Sequence, residues 1–147
     1  MDSTFLSNFL KVAKRITHAE RCMVVDTNLK VLDSINIDQA MIETSAFGEF
    51  AMECLREALD TGDAVITNNV ITDPSDAPTT NTNFSNLRVV VALPIKDQGA
   101  VYLDQHIRNG IIPKQMIERI MRLISYIQEN KLEDKDESEL YDLYQKV

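Results

Sequence analysis

The chain has 147 residues, enough for one ordinary domain with a core of its own. Hydrophobic residues make up 44% and charged residues 26%, the balance of a soluble globular chain rather than a disordered or membrane-embedded one. A formal net charge of -8 argues against a general affinity for nucleic acid or anionic membranes, which needs clustered Lys and Arg.

Residues 3 to 18 read as a helix. Phe5, Phe9, Ala13 and Ile16 recur at helical spacing, and Leu6, Leu10 and Val12 widen the apolar face. A face this wide suits packing on the chain's own sheet, and equally suits an added helix from a second subunit. The opening stretch does not read as an export signal, because Ser7, Asn8 and Lys11 interrupt it. Arg21–Asp26 and Leu29–Ser34 read as strands, with turn chemistry at Asp26-Thr27-Asn28 and hence a hairpin. Residues 36 to 43 read as an irregular connection.

Ser45–Asp60 is the cleanest helix. Phe47, Phe50, Ala51, Cys54, Leu55, Ala58 and Leu59 follow the i, i+3, i+4 rule, and Gly62 sits where a left-handed residue ends a helix. Ala64–Thr67 is a short strand. The stretch 68–86 reads as a long polar loop with Pro74 and Pro78 in it, too long and too polar for a mere connection. Leu87–Ile95 is a strand rich in β-branched residues. Asp97-Gln98-Gly99 then turns the chain into a strand over Ala100–Asp104.

Pro113 suits the first turn of the next helix, where Ile117, Ile120, Met121, Ile124 and Ile127 line one face and Leu123 lies off that stripe. Residues 1–131 therefore form the main domain. Residues 132–147 form an acidic segment with a short final helix, which Ser138 is placed to cap. The stripe of Leu140, Leu143, Tyr144 and Val147 on that helix needs a surface to bury against: the domain, a second copy, or a further segment.

Chemistry is sparse. His18 and His106 are the only histidines and have no metal-ligand spacing, so no metal site is expected. No nucleophile elbow, P-loop or G-x-G-x-x-G occurs. Cys22 and Cys54 make neither a disulfide framework nor a metal motif, and reduced thiols in a cytoplasmic protein are the simplest reading. Cys54 lies on an apolar helix face and reads as a core residue. A non-catalytic chain is expected. Thr72, Asp73, Thr80, Asn81 and Asn83 suit a pocket rim or, equally, a solvated loop held by Asx and Ser/Thr turns. Arg88 suits pairing with a phosphate or carboxylate, or the surface of a strand.

One set of motifs stands out: Thr61-Gly62, Val65-Ile66-Thr67, Asp73-Pro74, Leu93-Pro94-Ile95, Gly99 and Val101-Tyr102-Leu103-Asp104. Together with the element order, it resembles the GAF domain, a small-molecule-sensing relative of the PAS fold, over roughly residues 3 to 130. The resemblance implies an α+β fold: a central antiparallel sheet, helices packed on one face, and the long loop over the other. It implies a signalling or regulatory role, with a ligand pocket under the 68–86 loop. It further implies a homodimer through the first and last helices, which places Phe5, Phe9, Leu123 and Ile127 at the interface. Output would pass to a protein acting in trans, unless the chain is cut from a longer signalling protein or has lost its output altogether. The alternative is a GAF-like interaction module with no small ligand. No cofactor is specified. The cysteine cluster of methionine-sulfoxide-reducing relatives is missing, no attachment Cys for a bilin follows Asp73-Pro74, and the cyclic-nucleotide signature is matched only at Asn83 and Phe84.

Overall fold

A computed structural model of the chain describes residues 3–44, 46–70 and 87–147. Five strands form one antiparallel sheet in the order β2-β1-β5-β4-β3. They are β1 (Arg21–Asp26), β2 (Val31–Ile35), β3 (Val65–Val70), β4 (Leu87–Ile95) and β5 (Gly99–His106). The helices are α1 (Ser3–Thr17), α2 (Gln39–Thr44), α3 (Ala46–Thr61), α4 (Lys114–Glu129) and α5 (Glu137–Lys146), with a 3₁₀ turn over Ile107–Asn109. The fold is α+β around a central antiparallel sheet, as expected.

The layering differs from the expectation in one respect. Helices cover both faces of the sheet, not one. Successive side chains on a strand point to opposite faces, and here both sets are apolar. Cys22, Val24, Val89, Val91, Leu93, Val101 and Leu103 join α1, α4 and Leu140 of α5 in one core cluster. Met23, Val25, Val90, Ala92, Ala100 and Tyr102 join Phe47, Ala51, Cys54, Leu55 and Ala58 of α3 in the other. Strands buried on both faces lose the apolar-polar alternation that marks a solvated face. RCMVVD and LRVVVALPI show that loss.

Several boundaries move for local reasons. The irregular connection contains α2, whose first turn is held by Asp38 Oδ1 accepting from the Met41 amide at 2.9 Å. Gly48 lets α2 cross α3 closely, because a Cβ there would stand 1.9 Å from the Ile42 carbonyl oxygen. The first three positions of the supposed loop, 68 to 70, belong to β3, paired with Val89, Arg88 and Leu87. β2 starts at Val31 because Leu29 takes a left-handed φ of 64° in the turn. Gly62 ends α3 at φ 74°, and its amide donates to Ala58 O at 2.9 Å, as the sequence predicts.

α5 packs on the domain. Asp136, not Ser138, caps it: Asp136 and Glu139 satisfy each other's backbone amides in a capping box. Leu140 is fully buried. The Arg15 guanidinium of α1 lies 3.8 Å from the Tyr141 ring centroid, and that of Arg119 on α4 lies 4.5 Å from the Tyr144 ring centroid. Among the described residues no helix is long and apolar enough to cross a membrane.

Candidate functional site

The face covered by α3 carries a polar inlay at one end of the sheet. Register creates it. Arg21 on β1 pairs with Asp104 on β5, and Arg88 on β4 pairs with His106 on β5. By alternation Arg21, Arg88, Tyr102 and Asp104 all face α3.

Asp104 is the centre and is fully buried. Arg21 grips it with both arms, Nε to Oδ1 at 2.9 Å and Nη2 to Oδ2 at 2.7 Å. The Tyr102 hydroxyl donates to Oδ2 at 2.7 Å, and Arg88 Nη1 donates to Oδ1 at 3.3 Å. Phe47 of α3 closes the inlay from above. The Arg21 guanidinium carbon lies 4.4 Å from its ring centroid, and Tyr102 meets it edge-on at 5.6 Å. A buried ion costs several kcal/mol in desolvation unless its remaining lone pairs are satisfied. Four donated hydrogen bonds meet that requirement at Asp104.

Glu20 forms the rim, accepting from the His106 amide at 2.5 Å and from Asn109 Nδ2 at 2.8 Å, with Arg88 Nη1 3.8 Å away. Burial pushes its carboxyl up, but the His106 amide, the Arg88 charge and Asn109 outweigh that, and the pKa ends below the usual range. Burial, the Asp104 charge and the hydrogen bond to it push the Tyr102 hydroxyl well above its ordinary value, so it remains a donor.

Two guanidinium groups face two carboxylates. Asp104 is saturated and Arg21 is committed to it. Arg88 differs: its side chain is 20% exposed and its two carboxylate contacts are long. Neither thiol is poised as a nucleophile, since burial raises Cys22 to about 12 and Cys54 to about 11. Among the described residues no group of three His, Cys, Asp or Glu could hold a metal ion.

Of the residues singled out from the sequence, Arg88 lies in this inlay, paired with carboxylates of its own chain. Thr72, Asp73, Thr80, Asn81 and Asn83 lie outside the described residues. Phe5, Phe9, Leu123 and Ile127 are all buried, 3% exposed at most, in the core beneath α1 and α4. They are interior side chains of one chain and cannot be its outer surface. Arg21, Tyr102, Asp104 and Glu20 escaped the sequence reading as site residues. Arg21 reads as a strand start and Asp104 as a strand end, and only the register joins them.

An open groove lies on the other face. About 820 Å³ in volume, it runs between α4 and the β3 edge, lined by Ile66, Ile117, Met121 and Tyr126 with charged residues along α4.

No protein-family model and no curated protein matches the chain. Among solved structures, it is similar to the crystal structure of the GAF domain/HD domain protein from Geobacter sulfurreducens, at 14% identity and a TM-score of 0.48, covering 100% of both chains. At that identity no residue's role transfers.

Proposed function

We propose that this chain is a non-catalytic regulatory domain of GAF type that senses a small molecule, and that Arg88 holds an anionic group of that molecule on the α3 side of the sheet. The motif set around Thr61-Gly62 and Val101-Tyr102-Leu103-Asp104 supports the family reading. One observation carries the ligand class. Arg88 is partly exposed and reaches Asp104 at 3.3 Å and Glu20 at 3.8 Å, whereas a committed guanidinium–carboxylate pair closes to about 2.7–2.9 Å. A carboxylate or phosphate arriving at Arg88 exchanges loose contacts for close ones. Arg21 and Asp104 hold the strand ends in place meanwhile.

The test is a thermal-shift and calorimetric screen of the whole chain against small carboxylates and nucleoside phosphates, repeated with Arg88→Gln. The expected result is a stabilising anion whose affinity falls at least about tenfold in Arg88→Gln, one charge-assisted contact being worth about 1.5–3 kcal/mol. A screen in which no anion raises the melting temperature overturns the sensing role. A hit whose affinity is the same in Arg88→Gln overturns the role of Arg88.

The second reading, an interaction module without a small ligand, is favoured by the α4–β3 groove, which lies open on the face away from Arg88.

A further inference from the structure

We infer that the β3 edge and the adjoining wall of α4 seat a second copy of this chain, the two β3 strands pairing antiparallel about a two-fold axis perpendicular to the sheet.

The edge itself comes first. β3 ends the sheet, and no described strand pairs with its outer side. An edge strand that must remain alone usually carries a Lys, a Pro or a bulge. The opposite edge has such devices: β2 carries Asp33, and its pairing with β1 shifts register at Val24/Val25. β3 reads VITNNV, with no charge and no proline, and keeps an unbroken register with β4 over six positions. Its outer backbone groups are a template for another extended strand.

The apolar surface is concentrated at the same place. Three large hydrophobic side chains are strongly exposed among the described residues, and two of them, Ile66 at 46% and Tyr126 at 41%, line the groove between β3 and α4. Ile66 stands on the edge strand and Tyr126 on the helix wall. A strand laid against β3 therefore brings its own apolar side chain and its own helix wall to the groove.

Charge order names the occupant. Along the groove wall of α4 the exposed charges run Lys114, Glu118, Arg122, Glu129. A two-fold axis perpendicular to the sheet reverses any helix lying along that sheet, so the second α4 on the same face runs antiparallel to the first. Read in reverse, the order is Glu, Arg, Glu, Lys, so opposite charges follow one another in complementary order along the seam. With Glu118 opposite Arg122 of the partner subunit, Lys114 lies three positions, about 4.5 Å along the helix axis, from the level of Glu129 of the partner subunit. Such self-complementarity is what an isologous interface requires, and it selects a copy of this chain over an unrelated strand.

This interface is independent of the Arg88 proposal, since it uses the other face of the sheet. It also differs from pairing through Phe5, Phe9, Leu123 and Ile127, which are interior.

The whole chain is measured by light scattering after gel filtration and by sedimentation, with circular dichroism to confirm folding. The wild type is expected to be a dimer at tens of micromolar. Arg122→Glu is expected to weaken association at least tenfold, because it sets like charges against each other twice. Glu118→Arg combined with Arg122→Glu restores the pairs and is expected to return the dissociation constant to within about threefold of wild type. Ile66→Lys, a charge on the edge strand, is expected to give a folded monomer. A monomeric wild type overturns the inference. So does a dimer that tolerates both Arg122→Glu and Ile66→Lys, or an exchanged pair no better than Arg122→Glu alone.

Discussion

The two faces of the sheet are built by different rules. On the face of α1, α4 and α5, the strands contribute Cys22, Val24, Val89, Val91, Leu93, Val101 and Leu103, and the helices answer with Leu, Ile and Phe. On the face of α3, an apolar patch of the same kind ends in the Arg21–Asp104–Tyr102–Arg88 inlay. The apolar face tolerates any filling of the right volume. The inlay tolerates little, because each of its groups is defined by a partner. Stability can therefore be lost on either face, but positional specificity is concentrated on one.

The sharpest way to break this contrast is Asp104→Ala. It removes the buried carboxylate that the Arg21 guanidinium and the Tyr102 hydroxyl share, and the expected loss is about 3–5 kcal/mol in chemical denaturation. Replacing the inlay together, as Arg21→Met, Tyr102→Phe and Asp104→Leu, is expected to cost less than Asp104→Ala alone, since the buried cation is removed along with its counter-charge. If the triple variant is the less stable of the two, the inlay contributes more than its own satisfaction.

Leu140→Ala probes the apolar face at its outermost layer. The expected loss is about 2–3 kcal/mol, low in the range for a buried Leu→Ala because a terminal helix can settle into the space left. A loss within error of zero would show that α5 adds nothing to the core.

A pH titration reads one group on each face without the same disruption. Cys22, on the apolar face, has a folded pKa raised from 9.0 to about 12. A raised folded pKa gives stability that is complete below the unfolded value and is lost as pH rises through the folded one. Stability of the wild type is therefore expected to fall between about pH 9 and 12, and to fall less steeply there in Cys22→Ala, even though that variant starts lower. Glu20, on the inlay rim, has a depressed folded pKa, so its contribution is present above the ordinary carboxyl value and is lost as pH drops through the folded one. Glu20→Gln is expected to flatten the acid limb and leave the alkaline limb unchanged. Parallel alkaline limbs for wild type and Cys22→Ala would remove the thiol from the account.

The smallest effect is expected at Arg88→Ala. Its side chain is 20% exposed and its contacts are long, so the loss is about 1 kcal/mol or less in the absence of ligand. A much larger loss would place Arg88 among the structural members of the inlay rather than at its adaptable edge.

Local pattern along the chain was enough for the kinds of element and their order. The helical spacing of Phe5, Phe9 and Ala13, the β-branched run at Leu87–Ile95 and the turn residues at Asp97-Gln98-Gly99 each act over a few residues, where sterics and side-chain direction decide the outcome. The missed helix at Gln39–Thr44 is too short to show a period, and it depends on the Asp38 cap and on Gly48 of a neighbouring helix. Which surface a helix buries depends on its neighbours. Periodicity marked Phe5 and Phe9 as apolar, yet only packing showed that the chain itself covers them. The candidate site lay furthest from view. Arg21 and Asp104 are 83 positions apart. Each looks like an ordinary charge at a strand end until β1 and β5 align in register, because a salt bridge between distant residues leaves no local period in the chain.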